Sequence, residues 1–232
     1  MKIVITGGSR GIGLAVAREL SAAGHELLLT GRTAADLNAA KNELAGAALI
    51  YSVDHARDEA PDEIITYMKE QEFHPDVLIL NAAAFYDQTR SVVEPDASEL
   101  SRILQTNVVS NYRWVQKLLP YLRQGQYPRI IVIGSTTALR ADTSLYGISK
   151  AALRNYVLGL REELKPAGVG VTLIHPGGTF TERRVPDERI GIGPDRLLEA
   201  RDVGQLIAAI LTLSPQAVVE ELTVRPLLGD TF

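Results

Sequence analysis

The sequence contains no cysteine, which removes disulfide frameworks, thiolate nucleophiles and Cys-based metal sites together. That absence suits a reducing compartment. Aromatics are sparse at 6%, with a single tryptophan. No apolar run approaches the ~20 residues of a membrane helix. The apolar run within "MKIVITGG" is too short for the core of a secretory signal. A cytoplasmic chain with no membrane partner is therefore expected. Basic excess is lacking too: the formal net charge is −4, unlike the positive face of a nucleic-acid binder, so no nucleic-acid partner is expected. His25, His55, His74 and His175 show neither H-x-x-x-H nor H-E-x-x-H spacing, and no metal is expected. Internal repeats, low-complexity stretches and like-charged tails are also missing.

What is present is alternation. Seven short apolar runs read as strands: 2–6, 25–30, 47–53, 76–81, 129–134, 170–175 and 220–225. Most lack polar alternation, as parallel strands covered on both faces do. Helical patterns lie between them, among them one long pattern over 97–122 and another starting near Thr143. At 232 residues the chain is long enough for one substantial core. The expected fold is a single α/β domain over 1–232, a Rossmann-like doubly wound sheet of about seven mainly parallel strands with helices on both faces. Ligands of such folds bind at the carboxyl ends of the strands, which directs attention to the residues just after each one.

After the first strand comes "ITGGSRGIG", with Gly7, Gly11 and Gly13 between strand and helix. Glycines there allow a tight turn and a close approach of backbone to a pyrophosphate at the helix N-terminus. The second strand ends in Gly31 and Arg32 instead of an acidic residue. A carboxylate would repel a 2′-phosphate, whereas a guanidinium can bind it, so NADP(H) is favoured over NAD(H). Arg10 in the glycine loop offers a second positive group.

Tyr146 stands four residues before Lys150 where a helix begins, so the two share a face. The pair is either an ordinary surface pair or a proton donor whose pKa is lowered by its neighbour. Spacing alone leaves both open.

Taken together, these features resemble the short-chain dehydrogenase/reductase family, NADP-preferring type, from Lys2 to about Arg225. Its T-G-x-x-x-G-x-G motif is matched by Thr6, Gly7, Gly11 and Gly13, and its Y-x-x-x-K by Tyr146 and Lys150. Pro176, Gly177 and Thr181 match its P-G-x-x-x-T, and Asp54 an Asp near the adenine. "LNAA" keeps Asn81 of the family's N-N-A-G but has Ala83 in place of its glycine. The resemblance implies catalytic roles for Asn107, Ser135, Tyr146 and Lys150. The loop from Ser135 to Tyr146 is shorter than the family's usual one, which leaves Thr136 or Thr137 as a stand-in for the serine. Implied cofactor contacts are Thr6, Gly7, Ser9, Arg10, Gly11, Ile12, Gly13, Arg32, Asp54, Asn81, Ala82, Tyr146, Lys150, Pro176, Gly177 and Thr181. Substrate would meet Phe85, Tyr86, Leu139 and Arg140 beneath a lid near 180–200.

The resemblance further implies interconversion of a small-molecule carbonyl and its alcohol, with Tyr146 as acid and base. Lys150 would tune Tyr146 and hold the ribose, Ser135 would steady the carbonyl oxygen, and Asn107 would hold a water. A 3-oxoacyl thioester reductase and a non-catalytic NADP(H) sensor are the alternatives. A homodimer or homotetramer follows from the same resemblance. Trp114 is expected in the core or an interface, without a catalytic role.

Overall fold

The computed structural model describes residues 1–85, 97–181 and 196–229. Seven strands form one sheet: β1 (Lys2–Thr6), β2 (Glu26–Gly31), β3 (Ala48–Ser52), β4 (Val77–Leu80), β5 (Arg129–Ile133), β6 (Gly170–Pro176) and β9 (Glu221–Val224). Their order is β3-β2-β1-β4-β5-β6-β9, and every neighbouring pair is parallel. The order reverses between β1 and β4, which opens the crevice where doubly wound folds bind ligands. Two-residue strands β7 (Thr179–Phe180) and β8 (Leu198–Glu199) pair separately.

Alternate side chains of each strand serve opposite faces, and both faces are covered. Ile3 and Ile5 pack with Leu27, Leu29 and Ile79 beneath the helix α1 (Gly11–Ala22) and the later helix α7 (Ala200–Leu211). Val4, Leu28 and Leu78 face the other layer. There they meet Ile64 of α3 (Ala60–Glu70) and Trp114 of α5 (Ser110–Leu122). The same layer includes Leu153 of α6 (Leu145–Leu164). Near-continuous apolar strands are the sequence signature of this two-sided burial. Trp114 is fully buried, in the core as expected. The short helix α2 (Ala34–Asn42) follows β2. No helix among the described residues is long and apolar enough to cross a membrane.

One expected helix is interrupted. The pattern over 97–122 becomes α4 (Ala97–Leu104), a π-helical turn over Gln105–Val109, and then α5. Asn107 sits inside that turn, where the wider winding presents its side chain to two distant elements. Its Oδ1 accepts from the Ala84 amide at 2.7 Å, and its Nδ2 donates to the Ala84 carbonyl at 2.9 Å and to Ser149 Oγ at 3.0 Å. A local apolar period does not encode those tertiary bonds.

Candidate active site

The glycine turn after β1 is packed against the end of β4. Gly7 adopts a φ of +65°, a region that favours glycine. A Cβ on Gly13 would lie 2.2 Å from the Gly7 carbonyl oxygen, so only hydrogen fits where α1 meets the turn. Asn81 Nδ2 donates to the carbonyls of Thr6 and Gly7, each at 3.0 Å. Thr6 Oγ1 accepts from the amides of Asn81 and Ala82 at 3.0 and 3.1 Å. The side chains of Thr6 and Asn81 thus clamp the crevice, even with Ala83 in the place of a glycine.

The other residues expected around a dinucleotide fall along the same edge. Ser9 and Arg10 lie in the turn, and Gly11, Ile12 and Gly13 open α1. The first amides of a helix have no partner in the helix itself and suit a phosphate. Thr181 rests against this turn: a Cβ on Gly11 would lie 3.3 Å from Thr181 Cγ2. Arg32 is exposed just beyond β2, and Arg10 pairs with Asp36 at 3.8 Å. Asp54, exposed after β3, accepts from the Ala56 amide at 3.0 Å. Pro176 closes β6, and the amide of the following Gly177 donates to the Val224 carbonyl at 2.8 Å. These residues fit a dinucleotide: a glycine-rich turn, helix amides and the guanidinium groups of Arg10 in the turn and Arg32 just beyond β2.

At the carboxyl end of β5, Ser135 begins a short 3-10 turn whose residues are Thr136–Leu139. Its Oγ accepts from the Thr137 amide at 3.2 Å and from Thr137 Oγ1 at 2.9 Å. Thr137 therefore buttresses the serine. Ser144 caps α6 by accepting from the Gly147 amide at 3.0 Å, which starts the helix just before Tyr146. One turn on, Lys150 Nζ lies 5.6 Å from the centre of the Tyr146 ring. The ammonium is buried and donates to the Ile133 carbonyl at 2.9 Å.

The electrostatics differ from the expectation in one respect. Burial pushes the Tyr146 phenol up to about 12, and the Ser135 hydroxyl opposes that shift without reversing it. Burial also lowers Lys150 to about 8. Both shifts arise because desolvation disfavours the charged form of each group. A lowered tyrosine pKa, expected from the neighbouring lysine alone, is not found.

Among the expected substrate contacts, the Phe85 ring lies 4.9 Å from that of Tyr146, tilted and largely exposed. Leu139 is partly exposed, and Arg140 pairs with Asp142 at 3.4 Å. Tyr86 lies outside the described residues, as does most of the expected lid. Leu198 and Glu199, near the far end of that lid, pair with Thr179 and Phe180. Asn107 stands behind the site, its amide tied to Ala84 and Ser149 as described. Its carbonyl accepts from Asn111 Nδ2 at 2.7 Å. Among the described residues, no group of acidic residues and histidines could hold a metal.

The family model for short chain dehydrogenases matches residues 1–189. The chain belongs to that family. As a short-chain dehydrogenase it is an oxidoreductase, and its relatives fit that assignment. An uncharacterized oxidoreductase of Staphylococcus epidermidis is 28% identical over 225 residues, covering 96% of either chain. A 3-oxoacyl-acyl-carrier-protein reductase of Mycobacterium avium is 29% identical over 205 residues, 87% of this chain and 76% of that one. Among solved structures, a metagenomic short-chain oxidoreductase in complex with NADP superimposes with a TM-score of 0.82 at 26% identity, over 97% of this chain and 96% of that one.

Sequence reasoning gave no role to His175, which lies against Ser135, or to Glu221 and Arg154 beyond it. The available signals were faint: a histidine immediately before the Pro-Gly pair, and an arginine one helical turn beyond Lys150.

Proposed function

We propose that this short-chain dehydrogenase uses NADP(H) to interconvert a small-molecule carbonyl compound and its alcohol. The observation that carries the reading is the buried Lys150 ammonium, 5.6 Å from the Tyr146 ring and bonded to the Ile133 carbonyl at 2.9 Å, at the end of the strand that leads into Ser135. When bound, the nicotinamide supplies or accepts the hydride. Everything else falls to the chain. The glycine turn and the start of α1 hold the pyrophosphate. Arg32 and Arg10 receive the 2′-phosphate, a reading supported by the NADP bound in the metagenomic relative.

For reduction, Tyr146 gives its hydroxyl proton to the carbonyl oxygen, and Ser135 donates a hydrogen bond to the same oxygen. A phenol raised to about 12 rests protonated, as a proton donor must. The ammonium of Lys150 steadies the phenolate left behind and holds the ribose hydroxyls. Phe85 and Leu139 line the substrate entrance. The protein acts in the cytoplasm as a homodimer or homotetramer. Tyr112, half-exposed on α5, stacks at a tilt on Tyr156 of α6, which supports those two helices as the contact face.

A 3-oxoacyl thioester is the second reading, favoured by the Mycobacterium avium relative. A non-catalytic sensor is disfavoured by retention of both Tyr146 and Lys150. The test is NADPH consumption against a panel of ketones, aldehydes and an acetoacetyl thioester, with Tyr146→Phe beside the parent. Turnover lost by about 10²–10⁴-fold in the variant is expected. Equal rates in both proteins would overturn the acid–base role.

A further inference from the structure

Behind the Ser135 backbone a row of polar groups runs from a buried histidine to a partly exposed ion pair. His175, in β6, is fully inaccessible to solvent. Its Nε2 lies 2.8 Å from Glu221 Oε1, on the edge strand β9. Arg154, in α6, grips that carboxylate with both ends of its fork, Nε to Oε1 at 2.7 Å and Nη2 to Oε2 at 3.2 Å. These bonds hold the Glu221 carboxyl below the usual range, the one from Arg154 most strongly. An ionised carboxylate only accepts, so His175 Nε2 carries a hydrogen. The orientation of the ring is thereby settled.

The other nitrogen faces Ser135 alone. Nδ1 is 3.3 Å from the Ser135 amide nitrogen and 2.9 Å from the Ser135 carbonyl oxygen. The preceding Gly134 makes room: a Cβ there would lie 2.7 Å from Nδ1. The peptide just before is held as well, with Lys150 on the Ile133 carbonyl and the Gly134 amide on the Ile174 carbonyl at 2.6 Å.

We propose that His175 is a positioning residue for Ser135, oriented by Glu221 and Arg154, so that one row of bonds ties the serine to the helix bearing Tyr146 and Lys150. The inference rests on the reading of Ser135 and Tyr146 given above. Three parts of the site come from separate elements: the serine follows β5, the tyrosine and lysine lie on α6, and His175 is in β6. Their relative placement has to be stiff, because an error of about 1 Å in a reacting geometry can cost 10²-fold in rate. Glu221 joins α6, through Arg154, to β6, through His175.

The geometry separates the two ends of the imidazole. An asparagine at 175 carries a polar atom where Nδ1 stood and keeps a partner for Ser135. A glutamine reaches the Nε2 position and keeps the bond to Glu221 only. The experiment measures kcat and KM for His175→Ala, His175→Asn and His175→Gln, each alone and combined with Ser135→Ala. The substrate is whichever carbonyl compound of the panel the parent reduces.

His175→Ala is expected to lower kcat by about 10–100-fold, with the KM for NADPH within about twofold of the parent. His175→Asn should recover most of that loss and His175→Gln little. In the Ser135→Ala background the histidine substitutions should cost nothing further, because they act through the missing hydroxyl. Additive losses, or glutamine rescuing as well as asparagine, would overturn the inference and leave the reading of the site intact. A parent that reduces nothing, or Ser135→Ala at the parental rate, would overturn that reading and the inference with it. If His175→Ala does not fold, the asparagine–glutamine comparison decides alone.

Discussion

Lys150 donates from Nζ to the carbonyl of Ile133 at 2.9 Å, and so binds the start of α6 to the end of β5. The same ammonium lies 5.6 Å from the Tyr146 ring. A single side chain thus holds the two elements that carry Ser135 and Tyr146, and supplies the positive charge between them.

Replacing that lysine should damage two properties together. Lys150→Met is expected to weaken NADPH binding and to lower kcat, each by about tenfold or more. Fluorescence titration with NADPH and steady-state rates on the same preparation give both values. A variant with parental affinity and rate, changed only in its pH optimum, would refute the ribose contact.

Arg32 stands exposed at the end of β2, where a dinucleotide would place its adenosine ribose. Arg32→Asp should shift preference from NADPH toward NADH, by about 10–100-fold in the ratio of dissociation constants, since a carboxylate repels a 2′-phosphate and accepts from a 2′-hydroxyl. Binding of both dinucleotides is the measurement. Unchanged constants for both would remove Arg32 from the phosphate site.

His55 makes acid stability testable. Its ring is buried and stacked on Trp114 with centroids 5.0 Å apart. Both ring nitrogens and Asn111 Oδ1 are buried without a hydrogen bond among the described residues. Burial lowers the imidazole to about 4 from an ordinary 6.5, against smaller opposing effects of Asn111 and Asp54. Between those values the unfolded chain binds the extra proton. The neutral ring's contribution is therefore present above 6.5 and lost as pH falls through 4, on the order of 3 kcal/mol in all. Urea unfolding between pH 7 and 4 should show a shallower loss for His55→Gln than for the parent. Parallel profiles would contradict the assignment.

Strand positions were legible because each strand's own residues declare its burial. All seven apolar runs became strands, with ends displaced by only a residue or two; the run expected over 25–30, for example, spans 26–31. The glycine turn was equally plain, since Gly13 is required by a backbone oxygen in the same short segment. The helical pattern over 97–122 is helical throughout, but its π turn at Gln105–Val109 was not legible, because the bonds of Asn107 to Ala84 and Ser149 span 23 and 42 residues. The direction of the Tyr146 shift was likewise hidden. A neighbouring lysine can be read four positions away, whereas burial by the assembled site cannot.

The sequence by itself determined a doubly wound sheet, its glycine turn, and the pairing of Tyr146 with Lys150 on one helical face. Each depends on residues within a single strand, turn or helix, where spacing translates directly into geometry. Only the tertiary structure decided that His175 lies against Ser135 and that Glu221 joins it to Arg154. Those contacts span 40, 46 and 67 residues. They exist because parallel pairing sets β6 between β5 and β9 in one particular register, and no local pattern carries that register.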